Sequence, residues 1–203
     1  MKCTVGLRIW HWLNAIVVLG LLGTFFLRKT FLSWRTNSEI LMTKLSEIDI
    51  EITSKQAEML AKAVRAGMWE WHIILGYALA FLMLYRIYLF FTDTSEKVDF
   101  SSLDMHHKAV KISYYFIYAV LLFMTVSGLT IHFHQELGMS KDFAGTIKDI
   151  HENVAYVVAV FVPLHIVGTF VADATDEKGL VSTMIHGKKI IYKVEENIVN
   201  DKD

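Results

Sequence analysis

Four runs of apolar residues dominate the chain, at about 9–27, 72–91, 112–133 and 151–172. Each is close to the roughly 20 residues a helix needs to cross the hydrocarbon core of a bilayer. Within them, the stretches 12–27, 73–85, 112–131 and 153–172 carry no Asp, Glu, Lys or Arg. A charge at the centre of a spanning helix costs about 2.5–3.5 kcal/mol on insertion scales. The pattern therefore predicts an all-α fold, an integral membrane four-helix bundle. An even number of crossings puts both termini on the same side. The first run reads as a span and not as a cleaved signal: it is long, no small-x-small site follows it, and Arg28 and Lys29 end it.

The polar stretches between the spans give the rest of the organisation. A four-span membrane domain is expected over 1–173, and a polar tail over 174–203. The first connection, about 30–70, is the longest. Within it "TSKQAEMLAKAVRAGM" opens with Thr53 and Gln56 at capping-box spacing. Ala57, Leu60, Val64 and Met68 then recur at helical spacing. This predicts a short amphipathic helix at the membrane surface just before the second span, inside an insertion of about 38–67. It reads equally as a space-filling interfacial helix or as a surface on which a partner docks. The connections 92–111 and 134–150 are short.

Composition sharpens this picture in three places. The chain has 203 residues, 54% of them apolar, and a net charge of −1, which argues against a nucleic-acid partner. Cys3 is the single cysteine, so no disulfide framework exists, and the lack of a C-x-x-C-H motif excludes covalently attached haem. With the N-terminus inside, the inner segments would hold 11 Lys/Arg and the outer ones 9, so the charge bias barely selects an orientation.

The chemistry lies in the nine histidines. His106, His107, His132, His134 and His186 fall at predicted helix ends or in connections, where water satisfies them. His11 and His72 begin spans one and two among tryptophans, Trp10 and Trp12 beside the first and Trp69 and Trp71 before the second. Each alone reads as well as part of an interfacial aromatic belt. His165 differs, because it lies well inside the apolar run of span four, and an ionisable side chain at that depth is a functional hypothesis by default. His151 precedes it by fourteen residues. That spacing is about 21 Å of rise and brings the two rings to within about 40° of one face. Neutral imidazoles suit iron, and a six-coordinate haem iron takes two axial ligands. Up-and-down topology then matches His11 with His165 near one side of the membrane and His72 with His151 near the other. His11 sits about five residues shallower than His165, an offset that an earlier helix start, tilt or a kink at Pro163 would absorb. Gly76, four residues after His72, leaves room for a flat ring on the same face. Arg8 and Arg86, at the depth of the His11/His165 pair, are candidates for haem propionate contacts, against the plainer role of interface anchors.

These residues carry a resemblance. "RIWHWLNA", "WHIILGYAL" with "YRIYLFF", "IHENVAY" with "VPLHIVG", and "KGLVSTMIHGKK" resemble the bacterial di-haem cytochrome b family. Its members include the small stand-alone cytochrome b561 and the membrane subunits of nickel-iron hydrogenase, respiratory formate dehydrogenase and thiosulfate reductase. The resemblance covers nearly the whole chain except about 30–66, where the long first connection departs from the compact stand-alone members. It implies two haem b groups, exchange with quinone, and an inner-membrane location with N-terminus and tail cytoplasmic. His11 and His165 would then hold the inner haem, and His72 and His151 the outer one. The expected function is a membrane electron-transfer subunit between an outer-side redox partner, such as a hydrogenase or dehydrogenase, and the quinone pool. A stand-alone quinone-reducing oxidoreductase with a small diffusible donor is the alternative. An ion carrier would need carboxylates within the membrane, which the spans lack. A haem-free anchor is a further rival, and a visible spectrum of the purified protein, oxidised and then reduced with dithionite, separates the haem readings from both.

Overall fold

The computed structural model describes residues 4–92, 100–101, 103–175 and 177–187, so Cys3 and most of the tail lie outside the described residues. Six helices follow in order: α1 (Val5–Lys29), α2 (Trp34–Ser46), α3 (Ser54–Thr92), α4 (Met105–His132), α5 (Lys141–Ala174) and α6 (Leu180–His186). Among the described residues α1, α3, α4 and α5 are long and apolar enough to cross a membrane.

All four spanning helices begin before their apolar run, and in three of them a single capping side chain marks the start. The Thr4 side chain accepts from Leu7 N, Asp104 from His107 N and Ser140 from Phe143 N. Each satisfies a backbone donor that the first helical turn leaves unpaired. The first start bears on the site, since α1 is already helical at Val5 and carries His11 further in than its apolar run suggests. α5 runs unbroken through Pro163.

The first connection differs from expectation. The Thr53–Gln56 capping box forms, with Thr53 N donating to Gln56 Oε1 at 2.8 Å and Gln56 N to Thr53 Oγ1 at 3.3 Å. The helix it opens is not a separate interfacial element. It continues into the second span as one helix of 39 residues, leaving about 27 Å of helix ahead of His72. No proline interrupts 54–92, and its two glycines, Gly67 and Gly76, are tolerated in a helix interior. The apolar stripe divides accordingly. Ala57, Ala61 and Met68 are buried, in the part of α3 that packs against α2, whereas Leu60 and Val64 stay exposed. The two alanines remove the side-chain bulk that would hold α2 and α3 apart.

Within the bundle, α1 packs on α3, α3 on α4, and α4 on α5. Val18 of α1, Leu79 and Met83 of α3, Ile117 and Leu121 of α4, and Val158 of α5 form one buried cluster. Lipid is as apolar as these side chains, so dispersion and close fit hold them together more than the hydrophobic effect does. At Gly20, an added Cβ would lie 2.9 Å from Leu75 Cδ1, which shows how closely α1 and α3 approach. Val158 lies seven residues from both His151 and His165. The apolar cluster therefore separates the two histidine levels.

At one end, Arg8 Nη1 donates to Ile185 O at 3.1 Å and Trp12 Nε1 to Met184 O at 3.2 Å. The start of α1 thus meets the end of α6, and Asp173 Oδ1 accepts from Val181 N at the other end of that short helix. Trp10, which reads from sequence as a belt residue, is buried at 3% exposure and donates Nε1–H to Leu82 O at 2.8 Å. It is an anchor between α1 and α3, while Trp71 is exposed as a belt residue would be.

Candidate functional site

Two histidine pairs lie at two levels of the same four helices. At the first level, His72 of α3 and His151 of α5 line one cavity of about 360 Å³. Thr24 Oγ1 of α1 lies 2.7 Å from His72 Nδ1, and Ser127 Oγ of α4 lies 2.8 Å from His151 Nδ1. All four spans thus contribute to this level, and a hydroxyl from a neighbouring helix holds each ring. Gly76 and Gly128 form part of the wall. A Cβ at Gly76 would meet nothing within 4 Å, whereas one at Gly128 would come 3.3 Å from His151 Cε1. The lining is mostly apolar, with Arg28, Lys148 and Glu152 as its charged members. Arg28 Nη1 bonds Glu152 Oε2 at 2.6 Å, Lys29 pairs with the same carboxylate, and the Arg28 guanidinium sits 5.5 Å from the centre of Trp69.

At the second level, His11 of α1 and His165 of α5 face each other with ring centres 6.2 Å apart. Phe161, one turn before His165, lies nearly parallel to it at 5.7 Å, and Tyr114 of α4 approaches edge-on at 6.2 Å. His11 Nδ1 and Asn14 Oδ1 are buried without a hydrogen-bond partner. Such orphaned polar atoms suit a site that takes up a further group.

The donor set discriminates among cofactors. No group of three or more His, Cys, Asp or Glu able to hold a bare metal ion occurs among the described residues. Two imidazoles alone leave an iron undercoordinated, and a macrocycle that supplies its other four positions completes it. Metal–imidazole bonds of about 2 Å on opposite sides of one iron put the ring centres about 6 Å apart. The His11/His165 spacing fits that requirement. At the other level, an apolar cavity between two imidazoles, with cations on its wall, fits a flat apolar group that carries acidic arms.

The comparison with protein families decides the class. The model of the family described as prokaryotic cytochrome b561 matches residues 2–187, running through the long first connection as well. The chain belongs to the prokaryotic cytochrome b561 family. It is accordingly a haem b-binding, multi-pass bacterial membrane protein with a role in electron transfer. No curated protein and no solved structure matches the chain.

Other residues singled out from sequence fall as follows. Arg8 is engaged by α6, through Ile185 O and against Gly187. Arg86 lies over the rings of Trp10 and Tyr118, at 5.4 and 4.8 Å, with its Nε buried and unpartnered. His106, His107 and His186 are exposed, and His107 bonds Asp104 and, at 3.1 Å, Glu177. His134 Nδ1 lies 2.9 Å from Ile131 O. His132 lines the 360 Å³ cavity, although its place at a helix end reads as water-facing. Thr24, Ser127 and Lys148 carry no motif and go unread in the sequence, and Arg28 reads there only as a charge that ends the first span. One signal was present: Thr24 and Asn14 are the polar side chains of the stretch 13–27.

Proposed function

We propose that this cytochrome binds two haem b groups and passes electrons between a redox protein on the outer side of the cytoplasmic membrane and the quinone pool. His72 and His151 would hold the haem nearer the outer side, and His11 and His165 the one nearer the cytoplasm, with N- and C-termini cytoplasmic. One observation carries the reading: two half-buried histidine pairs sit at two levels of one bundle, each pair joining α5 to another span.

Each haem, when bound, supplies an iron that takes up and releases one electron. The chain's own residues do the rest. The four histidines fix two positions about 21 Å of helix rise apart. The apolar cluster around Val18, Leu79, Leu121 and Val158 keeps water out of the space between them. Arg28 and Lys148 offer positive charge at the His72/His151 cavity. Arg8, the candidate at the other level, bonds Ile185 O of α6. Arg86 remains suited to an acidic group near His11, since its Nε lacks a hydrogen bond.

The test is reduction of the purified full-length protein by a short-chain quinol under anaerobic conditions. The expected result is a reduced b-type spectrum reaching a large fraction of the dithionite-reduced amplitude. No reduction by quinol, with full reduction by a small water-soluble donor, would remove the quinone pool from the account.

A further inference from the structure

The two hydroxyls at the His72/His151 cavity have less freedom than a serine or threonine usually has. Each carries a single O–H proton and accepts through its oxygen lone pairs. Thr24 Oγ1 donates that proton to Leu21 O at 2.7 Å, and Ser127 Oγ donates to Phe123 O at 2.7 Å, with Met124 O at 3.3 Å. This back-bonding to the preceding turn is a common habit of hydroxyls within apolar helices. With its proton committed, each oxygen can only accept from the ring beside it. His72 Nδ1, at 2.7 Å from Thr24 Oγ1, and His151 Nδ1, at 2.8 Å from Ser127 Oγ, must therefore carry the hydrogen.

We infer that Thr24 and Ser127 are positioning residues that fix both imidazoles of this cavity in the Nδ1–H tautomer, present their Nε2 lone pairs to the haem iron and lower that haem's potential. The inference rests on His72 and His151 being the ligands. A neutral imidazole has one N–H and one lone pair, so holding the proton at Nδ1 leaves Nε2 free to ligate. An acceptor on the distal N–H also makes the ligating nitrogen more basic. A more basic ligand favours the oxidised, more highly charged iron.

Thr24 and Ser127 come from α1 and α4, whereas the histidines come from α3 and α5. Each hydrogen bond thus couples the orientation of a ligand to a different helix. Both hydroxyls are buried, Thr24 at 8% and Ser127 at 4% exposure.

The test is potentiometric titration with low-temperature EPR of the purified holoprotein, comparing Thr24→Val, Ser127→Ala and Thr24→Ser. Valine and alanine approximate the shapes of the residues they replace and remove the hydroxyl, with its acceptor for the ring and its bond to the preceding turn. The expected result is a midpoint potential raised for one haem component in Thr24→Val and in Ser127→Ala, with the other component unmoved. That component's EPR g-values shift as well, and Thr24→Ser keeps the parent values. Release of that haem by Thr24→Val and its retention by Thr24→Ser would be a stronger form of the same result. Parent potentials in both Thr24→Val and Ser127→Ala would overturn the inference. So would an equal shift or equal haem loss in Thr24→Ser, which would indicate packing alone. His72→Ala and His151→Ala, measured in parallel, separate the two levels of the argument. If they spare the component, the ligand assignment fails. If they abolish it while the hydroxyl variants leave its potential alone, only the tautomer inference fails.

Discussion

The imidazoles of His11 on α1 and His165 on α5 meet with ring centres 6.2 Å apart, although one opens the first span and the other lies deep in the last. The early start of α1 at Val5, capped by Thr4, carries His11 to the level of His165. The same helix α5 carries His151, fourteen residues earlier, to the cavity it shares with His72. One helix thus supplies a residue to each pair, and the other two partners come from α1 and α3.

Ligand loss should follow the pairs and not the helices. His11→Ala and His165→Ala are expected to lose the same redox component, and His72→Ala and His151→Ala the other. Each variant then retains about half the haem of the parent. Redox titration of the four proteins checks this, and one shared pattern in the two α5 variants, His151→Ala and His165→Ala, would break the pairing.

Trp10 should matter to stability through its bulk more than through its hydrogen bond. An interhelix hydrogen bond in a membrane averages about 0.6 kcal/mol, whereas truncating a buried Trp to Ala costs about 3–5 kcal/mol. Trp10→Phe is therefore expected to unfold in detergent close to the parent midpoint, and Trp10→Ala far below it. Thermal melts followed by circular dichroism distinguish the two, and equal destabilisation would shift the weight to the bond with Leu82 O.

A quinone-site inhibitor should perturb the His11/His165 component more than the other. Arg86, His106 and His107 lie toward that end, Arg86 beside Trp10 and His107 bonded to Glu177 near the start of α6. Inhibitor-induced changes in the spectrum or potential of each component report the location directly. A larger change at the His72/His151 component would place quinone at the opposite end.

The α2–α3 hairpin should be dispensable for cofactor binding. None of the residues 34–68 lines the cavity, whose wall on α3 begins at Trp69. Arg28 already reaches Trp69, so the chain on either side of the hairpin is close in space. Replacing 34–67 with a short Gly/Ser bridge is expected to preserve haem content and quinol reactivity and to abolish electron exchange with the physiological partner in native membranes. Loss of the His72/His151 haem on deletion would instead make the hairpin a structural cover.

Much of this was legible in the sequence, for physical reasons that also explain what was not. Lipid tolerates no charge at depth, so four uncharged runs announce four spans. The 3.6-residue period turns a fourteen-residue spacing into a shared face, so the sequence alone assigns His151 and His165 to one side of a helix. The helix α2 was invisible because it has no strong apolar stripe, and its partner face on α3 is two alanines, Ala57 and Ala61, rather than large side chains. The unbroken run from Ser54 to Thr92 is not legible, because the change from amphipathic to apolar looks like a boundary, while the backbone meets no proline there. Thr24 and Ser127 were silent for a different reason. A hydroxyl that bonds its own helix is ordinary in a span, and only the position of a ring from another helix gives it meaning. Arg28 read as the charge that ends a span, and the fold places it at a cavity wall.

Two haems in one bundle is the central claim, and the pyridine haemochrome assay set against protein mass measures it most directly. The account predicts a ratio of two b-type haems per chain, falling to one in His11→Ala and in His72→Ala and to none when both are replaced. A ratio of one in the parent protein, unchanged by either single substitution, would contradict it.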